Sequence, residues 1–228
     1  MAHTARTQFP ARHPQHVTLR LVPGIQLRTP AFLGLVHEVM RGSHRDDFRI
    51  TEFNCESNHL HLMVEASGRA ALARGMQRFK SCLARKLNRA LGRSGAVFDD
   101  RYHARPLRTP REVRHVLRYI LNNARHHAAD RGRTLDPDWF DPYSSAPWFT
   151  GWTAPLEPYS GWTYELLRRP PPTASATVWL LTVGWRRHGL IGRSEVPGAV
   201  EVRRRQRYRF RRTSRRRSHC EVGVPKKT

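Results

Sequence analysis

Two imidazoles two residues apart, His59 and His61, are the pair in this chain best spaced to do chemistry together. They lie in Asn58-His59-Leu60-His61-Leu62-Met63-Val64, which alternates polar and apolar residues with period two, the pattern of a half-buried strand. Residues two apart on a strand share a face, so both rings project together with their α-carbons about 7 Å apart. Leu60, Leu62 and Val64 point the other way, into a core. Such a pair can share one metal ion. It can equally be two surface histidines on an exposed face, because a His-x-His alone is a weak signal.

The elements that must position this pair follow from periodicity. His16 to Val22 reads as a first strand with Val17, Leu19 and Leu21 on one face, ended by Pro23-Gly24. Thr29-Pro30 opens a helix with the stripe Phe32, Leu35, Val36, Val39 and Met40, fading by Gly42. Phe48 to Asn54 is a second strand. Glu56-Ser57-Asn58 turns it back into the third, His59 to Glu65, as an antiparallel hairpin. Gly68 to Leu91 is a long helix. Leu72, Met76, Phe79, Leu83 and Leu87 form its apolar side, and Arg69, Arg74, Arg78, Lys80, Arg85, Lys86 and Arg89 its basic side. That basic side suits contact with phosphates better than a merely solvated face does. Val97 to Leu107 reads as a fourth strand, with Pro106 marking an edge. Thr109-Pro110-Arg111-Glu112 opens a last helix with capping-box spacing, running to about Ala129. Val113, Val116, Leu117, Ile120 and Ala124 make its buried stripe. Tyr119 and Asn123 sit off that stripe, one turn apart and about 40° from each other around the axis. The order implies an α+β, ferredoxin-like (split βαβ) antiparallel sheet with helices on one face, leaving an open face for a nucleic-acid strand.

Composition narrows the partner. Among 228 residues, 41 are Lys or Arg and 18 are Asp or Glu, a net charge of +23, which points to a polyanion and most simply to nucleic acid. Three separated cysteines, Cys55, Cys82 and Cys220, support neither a disulfide framework nor a zinc ribbon. No apolar run approaches a membrane span and no signal-peptide core is present, so a cytoplasmic protein is expected. Four regions are expected: a flexible N-terminus over 1–14, a domain over 15–130, an aromatic and Pro-rich extension over 131–200, and an Arg-rich tail over 201–228. Trp139, Phe140, Trp148 and Trp152 are expected to pack the extension on the domain rather than stack on bases. The tail has ten arginines between Arg203 and Arg217 and reads as disordered until it meets a polyanion.

Three passages resemble the single-tyrosine HUH transposases, and within them the REP-associated tyrosine transposases. Asn58 to Val64 is similar to the family's His-hydrophobic-His strand. Met76-Gln77-Arg78-Phe79-Lys80 through Asn88, followed by Phe98-Asp99-Asp100-Arg101-Tyr102, is similar to its basic helix, turn and following strand. Val116 to Asn123 is similar to its tyrosine helix, with Ala124 where the family commonly has proline. The resemblance covers about residues 14 to 130.

What the resemblance implies is a metal-dependent endonuclease and strand-transferase acting on single-stranded or hairpin DNA. Tyr119 would be the nucleophile, leaving a 5′-phosphotyrosine and a free 3′-OH. His59, His61 and, by position after the tyrosine, Asn123 would hold Mg²⁺ or Mn²⁺. Arg74, Arg78, Lys80, Arg85, Arg101, Arg105 and Arg118 would contact DNA. Glu52, Glu56 and His115 stand near enough in sequence to support a ligand histidine or the tyrosine. Tyr102 is read as structural, and His126 and His127 as solvated. Such a protein would be nucleoid-associated when bound to DNA, and a site assembled within one chain favours a monomer over a homodimer. A non-catalytic nucleic-acid-binding regulator on the same fold is the competing reading. A His-x-His hydrolase for a small phosphorylated substrate is disfavoured by the charge.

Overall fold

The computed structural model describes residues 9–154, 165 and 167–198. Four strands form one antiparallel sheet in the order β2-β3-β1-β4: β1 (Gln15–Arg20), β2 (Phe48–Cys55), β3 (His59–Ala66) and β4 (His103–Pro106). Helix α1 (Pro30–Ser43) joins β1 to β2, and α2 (Arg69–Ala90) joins β3 to β4. The fold is therefore α+β with the ferredoxin-like plan read from the sequence.

Strand alternation sorts the side chains. Val17 faces Leu62 and Leu19 faces Leu60, while Ile50 faces Val64 and Phe53 faces Leu62. This face is buried under α1 and α2, against Val36, Met40, Leu72, Met76, Phe79, Leu83 and Leu87. Tyr102 joins the same core, as expected of a structural tyrosine. Thr29 caps α1 by accepting from the Phe32 amide, with Pro30 in the first turn. Gly75 lets α2 lie close on β2: a Cβ there would stand 2.1 Å from Phe48 Cδ2.

The opposite face carries His59 and His61 on β3, with Arg20 and Thr18 of β1 opposite them and His16 opposite Met63. Helix α3 (Pro110–Leu121) packs on this side. Thr109 accepts from the Glu112 amide and Glu112 from the Thr109 amide, the capping box expected from their spacing. Val113, Val116, Leu117, Ile120 and Leu121 join Met63 in a second core.

Three expectations are corrected. Helices were expected on one face; α1 and α2 obey, but α3 covers part of the other, because its apolar stripe needs burial and Met63 offers an apolar patch there. A single helix was expected from Thr109 to about Ala129. It breaks at Asn122 (φ −112°, ψ 21°) and resumes as α4 (Asn123–Asp130). The Asn122 side chain donates to the Gly192 and Glu195 carbonyls, a local competition with helical geometry typical of asparagine. The fourth strand shrinks from Val97–Leu107 to β4, with Phe98 meeting Leu21 only in an isolated bridge.

The extension completes the second core. Phe140, Phe149, Trp152, Trp185 and Ile191 pack with α3, together with Leu180 and Leu181 of α5 (Trp179–Thr182). Phe140 and Trp152 thus pack as expected; Trp148 lies edge-on to His37, and Trp139 is half-buried. Arg114 forks onto the Glu195 carboxylate and also donates to the Gly189 and Leu190 carbonyls, tying the far end of the extension to α3. Cys55 and Cys82 are free thiols. Among the described residues no helix is long and apolar enough to cross a membrane. The arginine-rich stretch and Cys220 lie outside the described residues.

Candidate active site

The Tyr119 hydroxyl lies 3.3 Å from His61 Nε2, which lies 3.0 Å from His59 Nε2. The fold dictates this meeting. β3 projects both imidazoles to the face that α3 crosses. The backbone carbonyl beside the tyrosine, that of Ile120, accepts from Asn54 Nδ2 of β2 at 2.9 Å, pinning this part of α3 to the sheet.

Each histidine has its other nitrogen engaged. His59 Nδ1 is 2.7 Å from Asn58 Oδ1, which can only accept, so His59 carries its proton on Nδ1 and presents a bare Nε2. His61 Nδ1 is 3.2 Å from His16 Nε2 and 3.3 Å from Thr18 Oγ1. When His61 donates from Nδ1 to either, two unprotonated Nε2 atoms face each other. Lone pairs so placed repel unless a cation lies between them.

Asn123 adds an oxygen. It is fully buried; its Nδ2 donates to Glu56 Oε1 at 2.8 Å, while its Oδ1 is buried without a hydrogen-bond partner. A buried unpaired carbonyl oxygen costs free energy, of order 1–3 kcal/mol, unless something electropositive meets it. Among the described residues no three His, Cys, Asp or Glu side chains cluster as metal ligands. Imidazole nitrogen and amide oxygen are donor types that Mn²⁺ and Mg²⁺ accept.

Electrostatics match that use. Burial first, then neighbouring His16, His59 and His127, holds the His61 pKa at about 3. Burial, partly offset by the Glu56 carboxylate, lowers His59, and burial with Arg105 and His103 brings His16 to about 4. All three are neutral at pH 7, the form that ligates metal. Burial and the Glu56 charge raise the Tyr119 pKa, so the phenol gives up its proton less readily than a free one without added positive charge.

The other expected residues fall into three groups. Glu56 belongs here: it is buried, holds Asn123 and stands 3.6 Å from His127 Nε2. Glu52 does not; its carboxylate accepts from Ser145 Oγ and lines a separate cavity of about 370 Å³ with Trp148 and Trp185. His115 is exposed one turn before Tyr119. Arg105 lies opposite His16 across β1 and β4, near the site, and pairs with Glu112 at 3.5 Å; Arg101 is exposed just before β4. Arg74, Arg78 and Arg85 sit on α2, across the sheet from the histidines. Arg74 pairs with Asp47, and Lys80 donates to the Asp100 carbonyl. Arg118, also expected at DNA, has a side chain 16% exposed and 3.6 Å from the Glu195 carboxylate.

Sequence reasoning missed three groups. His16 and Thr18 alternate out of the β1 apolar stripe, a visible signal, but only the pairing register brings them to His61. His127 was read as solvated and instead stands within 3.5 Å of Asn123 Nδ2, because α4 restarts at Asn123. His126, also read as solvated, is partly buried, its ring centroid 6.4 Å from that of Tyr119.

Residues 31–123, which carry His59, His61, Tyr119 and Asn123, match the family described as IS200-like transposases. The resemblance read from the sequence is borne out over this segment. Among solved structures the chain is similar to one described as a REP-associated tyrosine transposase bound to a REP hairpin. The two are 19% identical, the match covers 64% of this chain and 82% of that one, and the TM-score is 0.49. No curated protein matches the chain.

Proposed function

We propose that this chain is a metal-dependent single-stranded DNA endonuclease and strand-transferase that works through a 5′-phosphotyrosine on Tyr119. The observation that carries the reading is the convergence of the Tyr119 hydroxyl with the Nε2 atoms of His59 and His61. Residues 15–130 form the catalytic unit, the described part of the extension braces α3 through Phe140, Phe149, Trp152 and Trp185, and the arginines beyond residue 200 add non-specific attraction to DNA. One chain supplies all the groups, so a monomer suffices.

Tyr119 Oη attacks the scissile phosphorus. The phenolic proton is lost, the bond from phosphorus to O3′ breaks, and the 3′ oxygen takes up a proton to leave as a hydroxyl. His59, His61 and Asn123 Oδ1 would hold a divalent cation, which would supply positive charge to offset that of the transition state. α3 and the Asn54–Ile120 hydrogen bond keep the phenol in place, so little entropy is lost on reaching the reactive geometry. Glu56 orients the Asn123 amide. Arg105 and Arg101, on the β4 side, guide the strand phosphates. Rejoining is the reverse: a 3′-OH attacks the phosphotyrosine and releases Tyr119. The +23 charge favours a polyanion and the likeness to IS200-like transposases over residues 31–123 favours DNA, so hairpin-bearing single strands are the substrate put to the test.

The test uses labelled single-stranded hairpin DNAs with Mn²⁺ or Mg²⁺, resolved on a denaturing protein gel. A covalent protein–DNA band is expected, absent with EDTA and in Tyr119→Phe, while Tyr119→Phe still binds DNA. Salt-dependent binding without any adduct, across many hairpins and both metals, would replace this reading with that of a binding regulator.

A further inference from the structure

The geometry points to His16 as a positioning residue that fixes His61 in the tautomer able to ligate a cation. The inference rests on the metal site proposed above and deepens it. It concerns a residue outside residues 31–123, the segment that matches the IS200-like transposases.

A neutral imidazole has one proton and one lone pair. His61 can offer Nε2 to a cation only with its proton on Nδ1, and an Nδ1–H in a partly dry site needs an acceptor. Metal-bound histidines ordinarily find a carboxylate, carbonyl or water there. Here, among the described residues, the groups at that nitrogen are His16 Nε2 at 3.2 Å and Thr18 Oγ1 at 3.3 Å. His16 Nε2 accepts when its own proton is on Nδ1.

The sheet enforces the arrangement. In the β1–β3 ladder Thr18 is directly opposite His61 and His16 opposite Met63, so both β1 side chains flank the same ring from one strand. The His16 and His61 ring centroids are 5.3 Å apart and the planes tilt by 35°. The His16 ring is also edge-on to Tyr119, with centroids 6.1 Å apart. His16 therefore walls the ligand and the nucleophile from the side opposite His59. Thr18 is the lesser acceptor because its hydroxyl rotates freely and can donate instead, which would favour the wrong tautomer.

The test is Mn²⁺ affinity of the full chain by calorimetry, with the His61 tautomer read in the metal-free protein by long-range ¹H–¹⁵N spectra. Wild type should bind Mn²⁺ in a manner lost in His59→Ala and show His61 protonated on Nδ1. His16→Leu should weaken Mn²⁺ by 10–100-fold and move the His61 proton toward Nε2. His16→Gln, whose amide oxygen can stand where Nε2 was, should bind within about threefold of wild type, the recovery expected for one shared hydrogen bond. Unchanged affinity and tautomer in His16→Leu, with wild-type binding intact, would overturn the role of His16 alone. So would a His16→Gln variant as weak as His16→Leu. A wild-type chain with no Mn²⁺ binding dependent on His59 would overturn both this role and the metal site it rests on.

Discussion

Replacing Asp141 with asparagine should cost about 3 kcal/mol of stability. Arg28 meets Asp141 through both arms of its guanidinium, Nη1 to Oδ2 at 2.9 Å and Nη2 to Oδ1 at 3.0 Å. The Asp141 side chain is 1% exposed and that of Arg28 24%. Removing one member of a buried pair leaves the other charge uncompensated, at about 3–5 kcal/mol. The low end applies because Arg28 is partly solvated and Glu56 stands 3.9 Å from it. Asparagine also sets an NH₂ group against donors, since Asp141 accepts from the Tyr143 amide and from Asn54 Nδ2 as well. For a chain of this size the loss corresponds to a Tm lower by about 6–12 °C. Urea unfolding at pH 7, followed by circular dichroism, measures it. Adding Arg28→Met should recover about 1 kcal/mol or more by deleting the orphaned cation. A loss under about 1 kcal/mol with unchanged m, or no recovery in the double variant, would refute the account.

Gly75→Ala should destabilise by about 1–3 kcal/mol in the same assay, despite the higher helix propensity of alanine, because the new methyl meets the Phe48 ring. Burial raises the Glu52 pKa from 4.5 to about 8, against the opposing hydrogen bond from Ser145. Between those values the native state holds a proton that the unfolded chain has released, so stability falls as pH rises through this window and levels off above about 8. Glu52→Gln should flatten that slope and gain about 1–3 kcal/mol at pH 8 relative to wild type, read from unfolding midpoints at pH 5 and pH 8.

Elements with a strong period were legible in the chain itself. The α2 stripe from Leu72 to Leu87, the Thr109–Glu112 cap and the alternation around His59 and His61 each place their own residues, because burial of one face decides them locally. What escaped depends on partners distant in sequence. His16 becomes part of the site only through the β1–β3 register, a pairing across more than forty residues. The break at Asn122 depends on carbonyls at Gly192 and Glu195. Arg118 looked free for phosphate because its partner, Glu195, is 77 residues further on. Tyr119, by contrast, was found through the family likeness of its helix; periodicity alone marks it only as a residue off the apolar stripe.

The tie between α3 and Glu195 has a bearing on the order in which the molecule is finished. Arg114 and Glu195 are separated by 81 positions, and the Asn122–Glu195 bond by 73. The β2–β3 hairpin closes across a turn of only Glu56 to Asn58. Loop-closure entropy rises with separation, so near contacts can form before far ones. On a ribosome the histidine-bearing hairpin and its two covering helices are available long before Glu195 is translated. Until then α3 has most of its apolar cover, from Met63 to Trp185, but lacks its ionic anchor. The nascent chain would thus have the sheet with its two imidazoles, and α3 laid on it through the Asn54–Ile120 bond, before the clamp at the far end of the extension closes.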